Sequence, residues 1–197
     1  MTITRNFFRD NPMPQPAVAT MVEFRIRLFD LQEVTKEKLR TIVNEQKSSE
    51  QLEAETEQIA AIQAAQTPDE LISLMRKLKG TTWHEEFTAK ALSMEETALP
   101  KIVERFCRNM TDRFLEASEM ILFYADRKYL DELFKNYREI RSPYAQSIVC
   151  LLIGMADYKD VDDFLVKEYQ YFQKEYPDEI YQQFPLRALQ LLHPDLL

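Results

Sequence analysis

The chain has 197 residues, only two of them glycine, and 25 basic against 33 acidic side chains, for a net charge of −8. Sheets and barrels of this length need many turns with φ > 0, which glycine supplies, so Gly80 and Gly154 alone point to an all-helical fold. The same scarcity leaves no glycine-rich phosphate loop or dinucleotide fingerprint, and the negative charge works against binding a polyanion through bulk electrostatics.

Residues 1–16 end in Pro12, Pro14 and Pro16. Three prolines in five residues cannot form a helix interior, so an extended arm is expected, ordered by docking Phe7 and Phe8. Residues 21–28 are ambiguous. Val22, Phe24, Ile26 and Leu28 alternate with charges as in a strand, yet Ala17, Met21, Phe24 and Leu28 fit one helical face. A lone strand would have no partner, which favours the helix. Leu39, Ile42 and Val43 then make a stripe in a charged helical stretch. Ser48 with Gln51 has capping-box form, and the glutamates from Glu50 to Glu57 read as a solvated face.

From Thr67 the punctuation becomes regular. Thr67-Pro68-Asp69-Glu70 is a helix start with cap, proline and back-reaching glutamate. Gly80 is placed to end that helix, and Thr82 with Glu85 to open the next. Ser142-Pro143 repeats the start signal, and Asp160 with Asp163 gives a weaker one. Pro177-Asp178-Glu179 is expected to open the last helix, with Pro185 kinking or splitting it.

A period of 31 residues runs through this pattern. Leu99, Leu130 and Val161 align, as do Ile102, Leu133 and Phe164, and then Val103, Phe134 and Leu165. In the second helix of each unit, Met120, Ile121 and Leu122 align with Leu151, Leu152 and Ile153. Two short amphipathic helices leave apolar edges that only a stacked neighbour covers. Leu151-Leu152-Ile153-Gly154-Met155-Ala156-Asp157, followed by Val161-Asp162-Asp163-Phe164-Leu165, resembles the hinge between short HEAT-like repeats of the bilin-lyase-like and bacterial kind. The resemblance covers roughly residues 68–192. It implies that Gly154 lets helices approach and that Asp157 and Asp126 cap the following helices. Phe123 stands where a second glycine would match. The expected architecture is an α-α superhelix of helical hairpin repeats with an N-terminal helical cap. Residues 1–16 form the arm, 17–66 the capping helices and 67–197 the repeats, within one structural domain.

Little catalytic chemistry is legible. His84 and His193 are the only histidines. Position 88 is threonine, so HExxH fails at His84, which reads as a surface or cap residue. His193 reads as a helix C-terminus. The paired carboxylates Glu95-Glu96, Asp131-Glu132, Asp162-Asp163 and Asp178-Glu179 suit helix N-termini. Cys107 and Cys150 lie in apolar runs and read as two buried thiols. No metal site and no cofactor are expected. The N-terminus lacks a signal-peptide core, and the run Ile148 to Ala156 is too short to span a bilayer, so a cytoplasmic protein is expected without membrane contact.

The expected role is a non-enzymatic module that binds a protein or peptide on a helical-repeat surface. Exposed tyrosines anchor such interfaces, which singles out Tyr144, Tyr158, Tyr169, Tyr171 and Tyr176. The alternative is a nucleic-acid-binding solenoid using Arg105, Arg108, Lys135 and Arg138 on a common ridge, as on HEAT-like DNA glycosylases. A bilin-lyase-like enzyme is implied by the repeat type alone.

Overall fold

The computed structural model describes residues 3–75, 77, 84–108 and 111–197. Among these every regular element is helical: α1 Arg5–Asp10, α2 Val18–Arg27, α3 Glu33–Asn44, α4 Ser49–Ala64, α5 Pro68–Leu74, α6 His84–Ser93, α7 Glu95–Arg108, α8 Asp112–Tyr124, α9 Arg127–Lys135, α10 Pro143–Met155, α11 Asp162–Glu175 and α12 Gln183–Leu192. Gly80 and Thr82, with the turn expected of them, lie outside the described residues. The chain divides into two packed units, residues 25–129 and residues 1–24 with 130–197.

In the unit of residues 25–129, local signals set the helix starts. Ser48 and Gln51 form a complete capping box at α4, and Thr67 and Glu70 another at α5. Each satisfies two amides that the first turn would otherwise leave bare. Asp126 Oδ1 accepts the amide of Lys128 at 2.9 Å, capping α9 as expected. α6 packs on α8, α4 and α7, while α5 and α8 pack on α7. Leu71, Phe87, Leu99, Ile102, Phe106, Leu115 and Ile121 close the core between them. Pro100 sits inside α7, where its ring nitrogen offers no proton to the carbonyl of Glu96.

In the other unit, α10 and α11 both pack on α12. Gly154 makes the first contact possible: a Cβ there would stand 2.5 Å from both Cα and Cβ of Ala188. The N-terminal arm is ordered on this unit. It is not extended throughout, because residues 5–10 coil into α1 before the prolines begin. Phe8 is buried, and the Phe7 ring meets Tyr169 edge-on at 6.1 Å. The Tyr169 hydroxyl donates to Asn11 Oδ1 at 3.0 Å, and the Gln183 amide donates to the Pro16 carbonyl at 3.0 Å.

Three helices differ from expectation, in a face, a start and a cap. α2 is the helix favoured above, but it buries Ala19, Val22 and Ile26 and leaves Met21 and Phe24 each 64% exposed. Two faces were available, and tertiary packing selected the one carrying β-branched residues. The last helix starts at Gln183, not at Pro177. Residues 177–182 make successive turns, held where the rings of Tyr176 and Tyr181 meet at 5.6 Å. Pro185 therefore falls in the first turn of α12, where a missing N–H costs nothing, and it neither kinks nor splits the helix. Asp160 and Asp163 do not cap α11, whose N-cap is Val161 with no side-chain bond.

Asp157 also has a different role from the one the resemblance implied. It closes α10 in the left-handed region, with φ 52°. The Tyr158 amide donates to the Ile153 carbonyl at 3.2 Å and the Asp157 amide to the Gly154 carbonyl at 3.3 Å, the paired bonds of a Schellman cap. Glycine adopts this conformation without a Cβ penalty. Asp157→Gly is expected to raise stability by about 0.5–1 kcal/mol, read as a shift in the urea midpoint at constant slope. A loss of stability would mean that the 2.6 Å carboxylate contact to Lys159 outweighs the backbone strain.

Side-chain links recur at one sequence interval within each unit. Lys101 meets Asp69, the Asp126 amide donates to Glu95 at 2.7 Å, and Lys128 meets Glu96 at 3.0 Å. In the other unit the Tyr137 hydroxyl donates to Glu168 at 3.0 Å, and His193 meets Asp162 at 2.9 Å. Each link joins residues 31 or 32 positions apart.

Candidate interaction surfaces

The five tyrosines singled out in the sequence divide into core and surface. Tyr144, Tyr158 and Tyr169 are buried. Tyr144 stacks on Tyr181 at 5.9 Å and meets Phe184 edge-on. Tyr158 packs on Phe134 and donates its hydroxyl to Asp131. Tyr169 lies under the chain's own arm. These three fill space inside the fold, with the Tyr158 and Tyr169 hydroxyls hydrogen-bonded, and are packing residues rather than the exposed anchors expected from the sequence. Tyr171 is 39% exposed and Tyr176 is half-buried.

Tyr171 and Tyr176 stand together, 6.0 Å apart between ring centroids, and Tyr176 continues to Tyr181 and then to Tyr144. The row begins near the C-terminal end of α11 and runs through the turns that follow it. The Tyr176 hydroxyl, and secondarily burial, holds the Tyr171 phenol above its ordinary pKa. Glu175, Asp178 and Glu179 are exposed beside the row in sequence. Tyr181 was not among the residues singled out. Helical spacing from Tyr169 and Tyr176 does not reach it, because a helix was expected where the chain makes turns.

The basic residues of the nucleic-acid alternative are placed less favourably. Arg105 and Arg108 lie in one unit, Lys135 and Arg138 in the other. Arg108 is 3.0 Å from Glu104, and Arg138 clasps the buried carboxylate of Glu168. Two of the four charges are thus already engaged within the chain. Arg105 and Lys135 are exposed.

Two clusters of buried polar groups contain side chains with shifted ionisation. In one, Arg25 donates to the fully buried Glu119, whose Oε2 has no hydrogen-bond partner among the described residues. Burial pushes the Glu119 carboxyl up to about 8 against the pull of Arg25. His84 is buried in the same unit rather than exposed, a correction to its reading as a surface or cap residue. Burial, then the Arg25 charge, lowers its pKa to about 4. In the other cluster, Tyr137 donates to Glu168 and lies 3.5 Å from the Cys150 sulfur, whose thiol burial pushes far above its ordinary value. Cys150 is buried as expected, whereas Cys107 is half-buried.

No group of three His, Cys, Asp or Glu able to hold a metal occurs among the described residues. Nor, among them, is any helix long and apolar enough to cross a membrane. Neither family models, curated proteins nor solved structures give a match to this chain.

Proposed function

We propose that this protein is a non-enzymatic interaction module, an α-α superhelix of HEAT-like helical hairpins that holds a protein or peptide partner in the cytoplasm. Links at 31 or 32 residues within each unit support the hairpin reading, as does the packing of α6 on α8 and of α10 on α12, one second helix against the next.

One observation carries the functional part: the tyrosine row Tyr171–Tyr176–Tyr181, incompletely buried and accompanied by Glu175, Asp178 and Glu179. Rigid aromatic side chains with a polar tip give large contact area at small entropic cost, and they are enriched among interface hot spots. Acidic neighbours favour a partner segment that carries lysine or arginine, through charge and cation–π contact.

The test is co-purification from source cells with wild-type protein and with Tyr171→Ala/Tyr176→Ala. The variant is expected to lose at least about tenfold in recovery of its partner, and Tyr171→Ala alone, at the exposed end of the row, is expected to lose part of it with the packing of Tyr176 on Tyr181 intact. Equal recovery of every partner by both proteins would remove the tyrosine surface. Capture that collapses between low and moderate salt and depends on Arg105 and Lys135 would replace the proposal with nucleic-acid binding.

A further inference from the structure

α3 is attached to its unit through charges: Arg40 reaches Glu85 at 2.8 Å, and Lys36 pairs with Glu85 and lies over the Phe29 ring. Just beyond its end, Lys47 pairs with Glu55 of α4 at 2.7 Å. The apolar stripe Leu39, Ile42 and Val43 is left uncovered beside these contacts, each residue 41–56% exposed, and no residue of α3 is buried. Several aliphatic side chains on one helical face in water call for a cover, since burying each is favourable by its apolar area.

We propose that α3 pairs antiparallel with α3 of a second copy of this chain. The pattern of the helix is self-complementary in that direction. Thr35, Leu39, Ile42 and Gln46 follow the 4-3-4 spacing of a helix–helix seam, polar at both ends and apolar in the middle. Turned end for end about a two-fold axis, Leu39 meets Ile42, Ile42 meets Leu39, and Thr35 meets Gln46. Lys38 and Glu45 are seven residues apart, so they line the same edge of the seam. Edges that carry the same position face each other in an antiparallel pair, so each Lys38 meets the other copy's Glu45. The helical backbone continues through Glu45, with φ −60° and ψ −20°. Neither Lys38 nor Glu45 has an ion-pair partner among the described residues, although Lys36, Arg40 and Lys47 around them all do. A parallel pair would place Lys38 and Glu45 against the opposite edge, where Lys36 and Val43 stand, and would lose this match.

Three turns of helix cover much less than the ~800 Å² per partner of a standard interface, so the association is weak and concentration-dependent. The experiment is sedimentation equilibrium of the full chain from micromolar to millimolar protein, with helix content checked by circular dichroism. The wild type is expected to rise from the monomer mass of 23.4 kDa towards twice that value. Ile42→Glu, at an exposed position, is expected to weaken association at least about tenfold. Lys38→Glu and Glu45→Lys should each weaken it, while the double reversal Lys38→Glu/Glu45→Lys should restore it to within about twofold of wild type. A monomer at every concentration would overturn self-pairing and leave the stripe to a different protein. Association that survives Ile42→Glu, or that the double reversal fails to restore, would overturn the antiparallel α3 seam.

Discussion

Gly154→Ala is expected to destabilise the protein by about 3 kcal/mol, the upper part of the range for inserting atoms into a packed interior. The added methyl would lie 2.5 Å from the Cα of Ala188 and 2.9 Å from its carbonyl oxygen. Backbone atoms cannot rotate away as a side-chain tip can, so α10 and α12 must separate. That separation loosens the contacts of Ile153, Leu186 and Leu189, all buried. Ala188→Gly in the same chain removes only the Cβ half of the clash, so partial rescue is expected. Urea denaturation of the two single variants and the double variant measures this. A loss below about 1 kcal/mol for Gly154→Ala would mean that the two helices are not held as close as the structure has them.

The second large effect is on pH dependence. His84 ionises at about 4 in the fold against an ordinary value of 6.5, so its contribution is complete above pH 6.5 and is lost as pH falls through 4. Glu119 ionises at about 8 against 4.5, so its contribution is complete below pH 4.5 and is lost as pH rises through 8. Between pH 4.5 and 6.5 the unfolded chain holds the histidine proton and the folded chain holds the glutamate proton. The counts are equal and the two slopes cancel. Above pH 6.5 only Glu119 differs, and stability should fall by about 2 kcal/mol by pH 8. Glu119→Gln is expected to flatten this limb. His84→Gln should leave it intact and instead unmask the Glu119 slope between pH 4.5 and 6.5. Urea midpoints at pH 5, 6.5 and 8 read all three proteins. A wild-type stability that rises from pH 5 to 6.5 and then holds level to pH 8 would show that Arg25 keeps Glu119 ionised throughout.

Much of the helical architecture was legible because its signals are local. Ser48, Thr67, Ser142 and Asp126 cap helices through bonds to amides two or three residues away, and such bonds depend on little else. The period of 31 was legible because buried positions repeat. Leu99, Leu130 and Val161 are all buried, as are Met120 to Leu122 and Leu151 to Ile153. What failed was the choice of face. α2 offers two plausible apolar faces, and only neighbours decide between them. α3 shows an apolar stripe that sequence alone would place inward, but Glu85 captures Lys36 and Arg40 instead. The tyrosines failed for a related reason. A tyrosine is equally at home as a packed ring with one satisfied hydroxyl or as a surface anchor, and Tyr169 is packed only because Phe7 and Asn11 return to it from 158 or more residues away. The start at Pro177 failed because ring contacts between Tyr176, Tyr181 and Tyr144 outcompete a local helix signal.

The links between residues 31 or 32 positions apart bear on how the chain reaches this structure. Each closes a loop of nearly the same length, and the entropy lost in closing a loop grows only with the logarithm of its length. Closing any one of these links therefore costs about as much as closing another. The arm is different: Asn11 meets Tyr169 across 158 residues and Pro16 meets Gln183 across 167, so these contacts close far longer loops and are expected to be the last to form.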